Sequence, residues 1–192
     1  SLCSLLVDFF KSVGIKFDKE LSNRLLVGVC TDSGFFTYDT NPNKALQDAV
    51  FLIETGADYQ NILKKILYNQ PLKLKRYFAS LINNLKINEK LKCGYVYISN
   101  SEMRNLKLNE AEMRLGINEL QFISEFDFVF ILTEMDTYVK GSFRTKKGID
   151  VSKFAKALGG GGHKAAASFS LPRMSCEEAE RKVFEAVEAC LN

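Results

Sequence analysis

Gly159-Gly160-Gly161-Gly162-His163-Lys164-Ala165-Ala166-Ala167-Ser168 is the stretch from which the rest of the chain can be read. Four glycines stand together, followed by the chain's only histidine, a lysine and a run of small side chains. Peptide N–H groups with no side chains around them can close on an oxyanion as a nest. His163 adds a donor, Lys164 adds longer-range positive charge, and the small residues let backbone pass close to something large. The combination suits a phosphate-bearing ligand. A glycine run also serves as a flexible linker, but linkers sit between polar or disordered stretches. Here the run is preceded by Val151 to Leu158, patterned as an amphipathic helical turn, and followed by Ala167 to Leu171, which alternates as a strand does.

Outward from this stretch the chain has two characters. Toward the C-terminus, residues 175–190 read as a helix with Ser175 as N-cap and Glu177 and Glu178 in its first turn. Toward the N-terminus, Tyr138 to Thr145 alternates polar and apolar, and Phe126 to Thr133 is apolar on both faces, as in a buried strand. Residues 109–123 read as a helix and Cys93 to Ser99 as a strand. Before these the pattern is helical throughout: residues 2–13, a helix capped by Asp18, about 42–55, about 58–68, and a stretch opened by Pro71 that runs to about residue 90. The expected fold is α/β. A helical part spans residues 1–70, a helical connector 71–90, and an α/β domain with a mixed sheet 91–192.

The 192 residues are 46% hydrophobic and 26% charged, as in a globular protein of one or two domains. A net charge of only +3 leaves no polybasic arm, so any nucleic-acid contact must come from a local site. No apolar run has the length of a membrane span, and no signal peptide is evident. Cys3, Cys30, Cys93, Cys176 and Cys190 are odd in number and scattered without a CxxC. They are expected to be free thiols of a cytoplasmic protein, not a disulfide framework or a zinc site. Leu2, Leu5 and Phe9, near the Ser1 start, form an apolar edge through which chains can pair as a homodimer.

Three side chains are candidates for chemistry. Asp32 lies in Thr31-Asp32-Ser33-Gly34, where small polar neighbours would expose a carboxylate; a helix-ending aspartate fits as well. Arg144 lies on the polar face of its strand and can grip a phosphate through its planar fork; an ordinary solvated arginine would look the same. His163 would point where the glycines point. Residue types alone indicate an anion-binding module and leave open whether phosphate is bound or cleaved.

Gly141-Ser142-Phe143-Arg144-Thr145, then Ile149-Asp150-Val151, Phe154-Ala155, and Gly159 through Ala167, closely resembles the DHH-associated domain of the DHH phosphoesterase superfamily. That superfamily includes the RecJ nucleases and the nano-RNases that also hydrolyse 3′-phosphoadenosine 5′-phosphate. Its pattern is Ser-x-Arg-Ser, a spacer, then Gly-Gly-Gly-His. Here Thr145 replaces the last serine, Ser168 stands in place of a glycine, and Ala165 stands where a polar residue is common. Asp32 resembles the last metal-binding motif of the catalytic domain. The Asp-His-His motif itself is absent, and a single histidine excludes it from these residues.

The resemblance implies the C-terminal part of a manganese-dependent phosphoesterase acting on short single-stranded nucleic acid or small nucleotides. Ser142, Arg144, Gly160, Gly161, Gly162 and His163 would hold substrate phosphate. Asp32 would be one ligand of a two-manganese site that is otherwise missing, so this chain alone is expected to be inactive. Two other readings follow from related proteins: a non-catalytic nucleic-acid-binding module like the one that ends alanyl-tRNA synthetases, and a fragment of a cyclic-dinucleotide phosphodiesterase.

Overall fold

A computed structural model describes residues 2–37 and 42–191 of the chain; Ser1 lies outside the described residues. The chain divides into two compact units, Ser1–Gln70 and Pro71–Asn192.

The first unit is helical: α1 (Leu2–Ser12), α2 (Lys19–Asp32), α3 (Pro42–Glu54) and α4 (Tyr59–Leu63), the last running on as a π-helical turn over Lys64–Tyr68. Asp18 caps α2 by accepting the Leu21 N–H at 2.8 Å, and Asp58 caps α4 by accepting that of Asn61 at 3.0 Å. Val7, Leu26, Val29 and Leu52, from three different helices, are wholly buried together. Leu2, Leu5 and Phe9 of α1 are exposed.

The second unit begins with α5 (Leu72–Asn83). The helix expected to reach residue 90 stops at Asn83 because the next residues join the sheet: β1 (Lys86–Asn88) pairs antiparallel with β2 (Cys93–Ile98). The turn between them is closed by the Asn88 side chain, which accepts the Leu91 N–H at 3.1 Å, and by Lys92 at φ +48°. Then come α6 (Asn100–Leu106), α7 (Glu110–Leu120), β3 (Phe128–Glu134), β4 (Tyr138–Thr145), α8 (Val151–Ala157), β5 (Gly161–His163), β6 (Ala166–Pro172) and α9 (Cys176–Leu191). Helix α6 was not visible in the sequence pattern. It is set by Ser99, whose hydroxyl accepts the Glu102 N–H, and ends at Lys107 in the left-handed region. Helix α7 opens with a full capping box between Asn109 and Glu112.

The sheet order is β1-β2-β3-β4-β6-β5, with β2 and β3 parallel and the other neighbours antiparallel. It is therefore a mixed sheet in an α/β fold. Strand β3 explains why both of its faces are apolar. Phe128, Phe130 and Leu132 enter one core with Phe143 of β4, Phe154 of α8 and Val183 of α9. Val129 and Ile131 enter the other with Leu74, Tyr77 and Leu81 of α5 and Ile117 of α7. Helices cover both faces of the central strands, which is what such a strand requires. Burial pushes the Cys93 thiol up to about 12. At pH 8 in the folded protein Cys93 is expected to resist a thiol reagent that labels it promptly in denaturant; prompt labelling without denaturant would contradict this packing.

Candidate functional site

The glycine run has three separate local roles. Gly159, at φ +76°, ends α8: its N–H donates to the Lys156 carbonyl at 3.0 Å, and the Gly160 N–H donates to the Ala155 carbonyl at 2.7 Å. These two bonds make a Schellman cap. Gly160 then passes against β6, where a methyl group would meet the Ser168 carbonyl oxygen and stand 2.6 Å from Phe169 Cα. Gly161 and Gly162 begin β5, an edge strand, with Gly162 at φ +145°. The Gly160 amide, expected as an anion donor, is thus committed to closing a helix. The reason is that the run must stop α8 before it can start a strand.

The two-residue loop Lys164–Ala165 joins β5 to β6 as a hairpin. Its two carbonyls are tied down, that of Lys164 by the Val151 N–H at 3.0 Å and that of Ala165 by the Thr145 N–H at 3.1 Å. The hairpin is thereby anchored to the start of α8 and the end of β4.

The register then places the candidate side chains. Ala166 is opposite His163 on one side and opposite Arg144 on the other. Directly opposed residues point to the same face of a sheet. Arg144 and His163 therefore share a face, with only Ala166 between them, and their backbones lie about 10 Å apart, twice the strand spacing. One row along, Ser168 lies between Gly161 and Ser142, again on that face. This is the face on which α7 packs over Val129 and Ile131. Toward β6 and β5 it carries, beside His163 and Pro172, only small groups: Gly161, Ala166, Ser168 and Ser170, the two serines exposed. The result is a shelf of small side chains with a guanidinium and an imidazole on one row.

Arg144 is half-buried and positioned by its neighbours. Its Nε donates to Asn118 Oδ1 on α7 at 3.3 Å, and its Nη1 to the Phe143 carbonyl at 2.9 Å. Asn118 went unrecognised in the sequence, where nothing marks one polar residue of a helix as the partner of an arginine 26 positions later. Thr145 faces the opposite way. Its buried hydroxyl donates to the Asp127 carbonyl at 2.7 Å and accepts the Lys147 N–H at 3.2 Å, so it holds the turn after β4. Asp32 is the last residue of α2 and is exposed. After it, Gly34, Phe35 and Phe36 all have positive φ, at +56°, +54° and +67°. Two aromatics in that region are uncommon. The turn is held by the Phe35 N–H on the Cys30 carbonyl at 2.7 Å and the Phe36 N–H on the Ser33 hydroxyl at 3.1 Å.

The model of the DHHA1 domain matches residues 91–192, more than half of the chain. The chain belongs to the DHHA1 family. It is 23% identical over 181 residues to the bifunctional oligoribonuclease and PAP phosphatase NrnA of Thermus thermophilus, covering 94% of this chain and 54% of that protein. It is 26% identical over 181 residues to the A-adding tRNA nucleotidyltransferase of Aquifex aeolicus, covering 91% of this chain and 21% of that protein. Among solved structures, an exopolyphosphatase-related protein from Bacteroides fragilis superposes with a TM-score of 0.90 at 21% identity, over 98% of this chain and 56% of that one. The chain spans about half the length of the NrnA relative and a smaller share of the nucleotidyltransferase. The DHHA1 match and the likeness to NrnA agree with the DHH-superfamily resemblance carried by the sequence motifs.

The DHHA1 match includes the shelf, Arg144 and His163, and lies wholly within the second unit. Asp32 lies in the first. A divalent ion takes about six oxygen ligands. Among the described residues no three His, Cys, Asp or Glu side chains gather closely enough to hold one. No helix of the described residues is long and apolar enough to cross a membrane.

Proposed function

We propose that the DHHA1 domain of this chain holds the phosphate of a short single-stranded oligonucleotide or a small phosphorylated nucleotide between Arg144 and His163, as the substrate-binding module of a phosphoesterase. The observation that carries this reading is the shared row: two cationic or hydrogen-donating side chains on one sheet face, separated by an alanine and flanked by a shelf too small-sided to obstruct a ligand. A guanidinium recognises phosphate as a fork, and a second donor across the anion fixes its orientation. Ser142 and Gly161, on the neighbouring row, border the same space. The resemblance of the chain to an oligoribonuclease that is also a PAP phosphatase supports the choice of ligand class. Manganese belongs to the proposal through Asp32 alone, as one ligand among others supplied by polypeptide beyond these residues.

Titration calorimetry of this chain with 3′-phosphoadenosine 5′-phosphate is expected to show saturable binding that inorganic phosphate competes away. Absence of binding up to millimolar ligand would refute the reading.

A second reading is favoured by the tRNA nucleotidyltransferase relative: a domain that binds nucleic acid without cleaving it. A manganese-dependent nuclease assay on the full-length protein separates the two. Release of mononucleotides from a short RNA supports the phosphoesterase, and tight RNA binding without turnover supports the binding module.

A further inference from the structure

Phe122 is exposed where an aromatic is usually covered: 63% of its surface is open, in the turn that follows α7. It is not isolated. With Phe126, Val129 and Arg144 it lines a cleft of ≈ 300 Å³ between the end of α7 and the strands β3 and β4. That volume lies at the lower end of the range for ligand pockets, about 300–1,000 Å³. Phe126 and Val129 are buried and give the cleft an apolar wall. Lys146 Nζ stands 3.9 Å from the Phe122 ring centroid, over the ring, so the rim is cationic. The one carboxylate in the lining, Asp127, is neutralised by Lys147 at 2.9 Å.

Arg144 belongs to both places. It ends the phosphate row on the sheet and lines this cleft. A ligand whose anionic group sits on Arg144 therefore has the cleft directly beside that group. An aromatic platform, an apolar wall and a cationic rim suit a flat heterocycle joined to a phosphate, and the volume limits the occupant to about one such unit.

We propose that this cleft is a nucleobase subsite: the base next to the phosphate held by Arg144 stacks on Phe122, with Lys146 at the rim. This rests on the phosphate reading above. Stacking of a base on an aromatic ring tolerates any base, because every base has a π-face, so the subsite adds affinity for a nucleotide without selecting its sequence.

The test compares adenosine 5′-monophosphate with ribose 5-phosphate, which lacks the base, by calorimetry on this chain. The nucleotide is expected to bind about tenfold more tightly. Phe122→Ala should bring it down to the level of ribose 5-phosphate while leaving ribose 5-phosphate unchanged, and Phe122→Tyr should retain the difference. Arg144→Ala should weaken both ligands. If Arg144→Ala weakens both but Phe122→Ala alters neither, or weakens both equally, the subsite is wrong and the phosphate site stands. If Arg144→Ala alters neither, the phosphate reading itself fails. The chain has no tryptophan, so Phe122→Trp supplies a single fluorescent probe at an exposed position. Quenching by the nucleotide and not by ribose 5-phosphate places the base on this side chain; no quenching at saturation removes it.

Discussion

Replacing Arg144 by alanine is expected to weaken binding of a nucleotide phosphate about a hundredfold, as measured by calorimetry, with little change in unfolding midpoint. Hydrogen bonds to charged groups contribute about 1.5–3 kcal/mol each, and a forked pair is lost together; about 3 kcal/mol corresponds to about a hundredfold in affinity. The fold should tolerate the change. Arg144 is half-buried at the edge of the packed region, and among its bonds are one to Asn118 and one to the adjacent carbonyl of Phe143. Arg144→Lys is expected to recover only part of the loss, because an ammonium keeps the charge but not the planar fork. Asn118→Ala leaves the guanidinium in place without its Nε partner, and a loss of only a few fold is expected. If the full-length protein is the phosphoesterase proposed above, the same Arg144→Ala substitution should appear mainly as a raised KM. An unaltered dissociation constant for Arg144→Ala would end the phosphate assignment.

The second large effect is on stability, and it separates adjacent glycines. Gly160→Ala would press its methyl group onto the Ser168 carbonyl and to 2.6 Å from Phe169 Cα, both of them backbone atoms of β6 that have no side-chain freedom with which to yield. A loss of about 3 kcal/mol is expected, from the overpacking and strain that produce the large mutational effects. At Gly161 a methyl group meets no atom within 4 Å, so Gly161→Ala should change stability by no more than about 0.5 kcal/mol. That methyl group would nevertheless rise from the shelf beside Ser168 and Ser142, where the ligand is proposed to lie. Nucleotide binding by Gly161→Ala is therefore expected to fall several fold at nearly unchanged stability. Urea unfolding and calorimetry on the two variants provide both readings. Equal stability of the two would mean that β5 does not lie against β6 as described.

These two predictions mark how far the sequence could be followed. The glycine run stood out on composition, Arg144 on its residue type and its place on the polar face of a strand, and Ser142 followed from the resemblance of the motif. What composition suggested physically, a nest of bare amides, is only partly what the glycines do. Gly159 and Gly160 terminate a helix, and the Gly160 amide is taken by Ala155. A run of four identical residues carries no mark of where a helix cap ends and a strand begins. Helix α6 was missed for a similar reason: at seven residues it is too short to show a period, and it depends on the Ser99 cap.

From its residues alone, this chain reads as helical to about residue 90, a bound the sheet moves back to Asn83, with apolar strands after residue 92 and a small-sided glycine-histidine stretch suited to an anion. These are properties of local periodicity and side-chain size, and they survive reading one segment at a time. Only the tertiary structure decides that Arg144 and His163 share a face, because that depends on strand register, and a slip of one residue would turn either side chain to the opposite side. Asn118 beside Arg144, and an exposed Phe122 beside the same guanidinium, likewise come from packing between segments far apart in sequence, which no local pattern records.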